Sequence, residues 1–197
     1  NITTILLIVV GLAAFLIGLL TSHGHTGQRL WANLLVNGYF FFTISLASLF
    51  FLALQYVSEM AWGVTTHRIF QATMSFMPVS AIALLLVFIG GSLHWNHIYH
   101  WMAEGITDPT SHHYDAIIAG KSGYLNQAFF WGRTIAYFAV WMFFANWFRK
   151  NSLAEDKLSL ADGVTSPIYK KSIFMGVLFV AFFAYTSSSS AWDWLMS

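Results

Sequence analysis

Arg133 and Asp193 stand inside or at the end of long apolar runs of this sequence. An ionised side chain in such a setting is costly unless it is paired or wetted. Arg133 interrupts NQAFFWGRTIAYFAVWMFF, and Asp193 is held between Trp192 and Trp194 in TSSSSAWDWLMS. Thr186, Ser190, Asp193 and Ser197 recur at helical spacing and therefore share one face. His94 follows a glycine pair at the end of another apolar run. A guanidinium, a carboxylate and an imidazole at one depth are groups that hold a proton or meet a quinol. The expectation is that Arg133 pairs with Asp193, and that His94, Ser190 and Thr186 complete a candidate proton or quinone site. Asn37, Ser48, Gln55 and Glu59 form a second polar stripe. Helix–helix hydrogen bonding is the alternative role for both stripes.

The histidines bear on haem and metal. No His occurs between Leu34 and Val57, between Ile69 and Leu93, or beyond Leu125, so no pair of facing apolar runs offers the two axial imidazoles of a membrane haem. The segment HWNHIYHW sets His94, His97 and His100 three apart, which would bring neighbours together on a helix. No accompanying ligands have the spacing of a known metal site, and none is expected. The sequence has no cysteine, which excludes disulfides, thiolate-held iron–sulfur clusters and thioether-linked haem.

The elements that must position these groups follow from composition. The chain is 57% hydrophobic and 9% charged, where soluble domains carry about 25% charged residues. Mean hydropathy is +0.63. A spanning helix needs roughly 20 apolar residues, and five stretches meet that length, at 2–21, 33–57, 69–93, 125–148 and 172–195. None alternates with period two, so the expected fold is all-α and integral to a membrane: one leading transmembrane helix with an outer loop over 1–32, then a four-helix transmembrane bundle over 33–197. Pro78 should kink the third run, and Ser166 followed by Pro167 has the form of an N-cap with a first-turn proline. The lipid bilayer is the partner implied. A formal net charge of +1 provides no basic face for nucleic acid.

Orientation follows from Lys and Arg. Arg149, Lys150, Lys157, Lys170 and Lys171 fall in the loop expected at 149–171, and Arg68 falls in the loop on the same side. The opposite loops hold Arg29 and Lys121. The positive-inside bias then places the N-terminus in the cytoplasm and turns 23–31 and 94–124 outward. Trp192 and Trp194 are expected to anchor their helix at the membrane interface.

The strings KSGYLNQAFFWGR, FFANWFRKNSLAEDK and SSSAWDWLMS, with WMAEGITDP more weakly, resemble alternative complex III, the bacterial quinol:cytochrome c oxidoreductase. They are similar to the smaller of its two polysulfide-reductase-type membrane subunits. The resemblance implies a haem-free subunit in the bacterial inner membrane, structural or associated with menaquinone or ubiquinone, and part of a proton pathway. It implies haem and iron–sulfur clusters in partner subunits: a multihaem cytochrome c, an iron–sulfur protein, the larger paralogous membrane subunit and a terminal oxidase beyond them. Family members have about ten spans of roughly 20 residues each, so the sequence is expected to be part of a longer chain. Arg133 and Asp193 lie within the matching strings; His94 does not. The alternatives are a fragment of a secondary transporter, whose coupling groups would lie near the midplane, and a purely structural membrane anchor.

Overall fold

The computed structural model describes residues 2–21, 25–158 and 166–196. His23 and Ser197 lie outside the described residues. Every regular element among those described is helical: α1 (Ile2–Thr21), α2 (His25–Val57), α3 (His67–Met74), α4 (Met77–Ser92), α5 (Ala116–Gly120), α6 (Gln127–Glu155) and α7 (Pro167–Ala191). Four helical stretches are long and apolar enough to cross a membrane: Gly27–Val57, His67–Ser92, Gln127–Glu155 and Pro167–Met196. α1 spans the same residues as the leading apolar run, Ile2–Thr21, and its described apolar part is Ile2–Gly18.

Several other boundaries differ. The expected outer loop at 23–31 is helical from His25 onward, so α2 begins about two turns before its apolar run. The third run is two helices. Ser75 and Phe76 form a turn, with Ser75 Oγ donating to the Ala72 carbonyl at 2.6 Å, and Pro78 sits in the first turn of α4, where its missing N–H costs nothing. The loop expected at 149–171 is shorter, since α6 continues to Glu155 and α7 starts at Pro167. Ser166 caps α7, its Oγ accepting from the Ile168 N–H at 3.1 Å. The basic residues thus ride on helix ends as well as on a loop. Arg68 pairs with Asp156 at that end.

α2 is the central helix, with α3, α4 and α7 packed on it, and α6 packs against α7. α7 approaches α2 closely at Gly176, where a Cβ would lie 3.0 Å from Val57 Cγ2 and 3.1 Å from the Ala53 carbonyl oxygen. The core is aromatic: Phe42, Phe88, Phe130, Trp141, Phe148, Phe179 and Trp194 are fully buried. Their flat rings fill a bundle whose helices cannot interlock through small residues alone.

Two helix ends explain two of the polar residues singled out in the sequence. α4 stops at Ser92, and His94 has φ 58°. The His94 N–H reaches the Gly91 carbonyl at 3.1 Å and the Trp95 N–H reaches that of Gly90 at 2.8 Å. That is a Schellman close, with His94 in the left-handed position usually held by glycine. α2 ends the same way. Glu59 has φ 48°, its N–H reaches Tyr56, and the Met60 N–H reaches Gln55.

Candidate functional site

α6 begins at an Asn126 cap whose Oδ1 accepts from the Phe129 N–H at 2.8 Å. Arg133 comes about 9 Å into the helix and faces α7. Its Nε donates to Asp193 Oδ2 at 2.6 Å and its Nη2 to Asp193 Oδ1 at 2.9 Å. Both carboxylate oxygens are engaged by one planar fork. Nη1 donates to the Tyr124 carbonyl at 3.3 Å. The guanidinium carbon lies 3.9 Å from the Tyr124 ring centroid and 4.3 Å from that of Phe129. The side chain of Asp193 is 1% exposed and that of Arg133 10%. Removing two charges from water costs several kcal/mol per ion, and bidentate geometry with stacking on aromatic faces is what offsets it.

The pair is the first of three rungs. Stepping four residues at a time along α6, Tyr137 OH meets Ser189 Oγ at 2.6 Å, and Trp141 Nε1 donates to Thr186 Oγ1 at 3.1 Å. The Thr186 hydroxyl in turn donates to the Phe182 carbonyl at 2.8 Å. Because α6 and α7 run antiparallel, the spacing that stacks Arg133, Tyr137 and Trp141 on one face also aligns them with Asp193, Ser189 and Thr186 on the other. Tyr124 closes one side of the group. Burial pushes its phenol above the ordinary value; hydrogen bonding with Ser189 opposes this and hydrogen bonding with Asp193 adds to it.

A local departure from α-helix makes the arrangement fit. Trp192–Met196 forms one π-turn. Consecutive helical side chains diverge by about 100°, so helical spacing alone sets Asp193 and Trp194 on different faces of the element. The wider turn reduces that angle, and both are buried, at 1% and 0% exposure. This corrects the expectation for the tryptophans: Trp192 is exposed, but Trp194 is a core residue. Six rings, those of Tyr39, Phe42, Phe88, Tyr137, Phe138 and Trp141, have centroids 5.1 to 6.4 Å from it. Its Nε1 donates to Thr134 Oγ1 at 3.2 Å, and its carbonyl accepts from Tyr99 OH at 2.8 Å. Burial, with the Asp193 charge second, holds the Tyr99 phenol well above its ordinary value.

The remaining sequence candidates separate. His94 is turned to the surface by its left-handed backbone and lies 3.7 Å from Glu104. His94, His97 and His100 are all exposed, and the stretch between α4 and His100 is not helical, so the three-residue spacing brings no pair together. Among the described residues no group of three His, Asp or Glu side chains forms a ligand set. Ser190 is buried and donates to the Ser187 carbonyl at 2.9 Å; it borders a cleft of about 200 Å³ between α2 and α7, together with Tyr39, Phe42, Thr43, Phe183 and Trp194. The second stripe does not act as one surface. Asn37 is exposed and donates to the Asn33 carbonyl at 2.8 Å, Ser48 donates to Ile44 at 2.9 Å, and Gln55 Nε2 donates to Thr66 Oγ1 at 2.8 Å. Glu59 is exposed beyond the end of α2.

Tyr124, Tyr137, Trp141 and Ser189 were not among the sequence candidates. Their signal is the four-residue recurrence of Arg133, Tyr137 and Trp141, which is masked in a run where nearly every residue is aromatic or apolar.

Fold and site together define a helical protein with four helices long and apolar enough to cross a membrane and a bidentate ion pair buried between two of them. No family model matches the chain, and a search of curated proteins finds no match.

Proposed function

We propose that the chain is a haem-free membrane subunit of a bacterial respiratory quinol:cytochrome c oxidoreductase of the alternative complex III type, comparable to the smaller polysulfide-reductase-type subunit, beside subunits that carry haem and iron–sulfur centres. Its four long helices cross the cytoplasmic membrane, with the Arg133–Asp193 pair near the outer face. The observation that carries this reading is that pair: an ion pair kept inside an apolar bundle is retained for a task, most often at an ion or substrate path. The long strings around Arg133 and Asp193 supply the family. A transporter would hold its coupling groups near the midplane, whereas Arg133 lies within the first two turns of its helix.

In this reading Asp193 holds a proton when Arg133 releases one of its oxygens, and Ser189 with Tyr137 continues the path inward. The cleft beside Ser190 suits a quinone ring in size and apolar lining. The Thr43 and Ser190 hydroxyls donate to carbonyls of their own helices, and the Tyr39 phenol and Ser187 hydroxyl are the other donors lining the cleft that a quinone carbonyl would meet. One observation favours a purely structural anchor instead: both Asp193 oxygens are already taken by Arg133.

Two experiments test the placement. A reporter fused near Asp156 is expected to be active in the cytoplasm and one near Thr110 active outside, because Arg68, Arg149, Lys150, Lys157, Lys170 and Lys171 gather at one end of the bundle and Arg29 and Lys121 at the other. The reverse pattern would invert the topology. An absorption spectrum of the isolated chain is expected to lack a Soret band, because its apolar helices have no opposed histidines. A stoichiometric haem b signal would contradict the family placement.

A further inference from the structure

A groove of about 570 Å³ runs between α1 and α2, bordered by Phe15, Gly18, Leu30 and Leu34 and, on its polar side, by Arg29 and Asn33. Asn37 continues that side. Arg29, Asn33 and Asn37 follow at four-residue steps, so they stand one above another on α2, about 6 Å apart along its axis. Arg29 also borders a second cavity, of about 430 Å³, with Gln28 and His97. Among the described residues Arg29 forms no ion pair. Asn37 spends one amide N–H on the Asn33 carbonyl and keeps its amide oxygen and second N–H.

We infer that this groove seats an anionic phospholipid, with its phosphate on Arg29 between Gln28 and His97, its glycerol esters beside Asn33 and Asn37, and an acyl chain along Phe15, Leu30 and Leu34. Along α2 the cation comes first and the two amides follow it inward, with Leu30 and Leu34 forming an apolar wall beside them, so one occupant could meet charge at one end and apolar surface along its length. A guanidinium at the edge of an apolar run, with no carboxylate partner among the described residues, matches a phosphate in charge and in fork geometry. A quinone is the poorer occupant, since its neutral carbonyls leave that charge unmatched. The lipid would also complete the seating of α1, which packs against α2.

The test is lipid retention by the purified full chain, taken from nanodiscs of phosphatidylcholine with phosphatidylglycerol as the minor component and read by native mass spectrometry. Phosphatidylglycerol is expected to be enriched over phosphatidylcholine, and Arg29→Gln to lower that preference about fivefold, the scale of one basic residue at a membrane surface. Arg29→Lys should keep most of the preference, and Lys121→Gln, which removes the other cation expected on that face, should leave it intact. On the unaltered chain, raised salt during exchange should weaken the preference by screening. Equal retention of the two lipids overturns the proposal, as does an equal effect of Lys121→Gln, or Arg29-dependent co-extraction of a quinone in place of lipid.

Discussion

Asp193→Ala is expected to destabilise the bundle by about 3–5 kcal/mol, the cost of leaving a buried charge without its partner. The loss is read as a lower melting temperature in detergent and a smaller fraction of assembled protein. The guanidinium of Arg133 would keep only the Tyr124 carbonyl and two ring faces. Removing both charges leaves no orphan, so Arg133→Gln with Asp193→Asn should be more stable than either single variant. Asp193→Asn separates the two roles for the pair. It keeps the shape and one hydrogen-bond acceptor but cannot hold a proton, so proton-coupled turnover of the assembled complex should fall by on the order of a hundredfold. Turnover unchanged at full assembly would leave Asp193 as a structural tie between α6 and α7.

Trp194→Ala should cost about 3–5 kcal/mol, as expected for truncation of a fully buried aromatic. The indole fills the space between α2, α4 and α6, touches six rings and satisfies Thr134. Its neighbours come from separate helices, so collapse around the cavity is limited. Trp192→Ala, two residues away and exposed, should change stability by no more than about 0.5 kcal/mol. Thermal melts of the two variants check this directly. Equally small losses at both positions would contradict the burial of Trp194 in the core.

The contrast between these tryptophans marks where the sequence was legible. Apolar length gave the four long helices, and the energetic cost of an unpaired arginine gave its partner 60 residues away. The Ser166–Pro167 start of α7 was equally plain, because capping is local chemistry. What could not be read were departures from regular helix. Helical periodicity assigns Trp194 to another face than Asp193, yet in the wider turn at Trp192–Met196 both lie inward. By sequence His94 belongs to the candidate proton or quinone site and Glu59 to the second polar stripe. Both are instead left-handed residues that end helices without glycine, so their backbone geometry, rather than a shared site, accounts for their positions. Tyr137 and Ser189 were hidden for a different reason: in so aromatic a chain, a tyrosine on the buried face of α6 does not stand out until the facing helix supplies its partner.

Affinity purification of the tagged protein from its native membranes, followed by a quinol-to-cytochrome c electron-transfer assay, tests the proposed role most directly. The expected result is recovery with a multihaem c-type cytochrome, an iron–sulfur protein and a larger paralogous membrane subunit, in a complex that reduces cytochrome c with quinol. Recovery free of redox subunits, in a preparation that moves a solute across vesicle membranes and leaves quinol unoxidised, would contradict it.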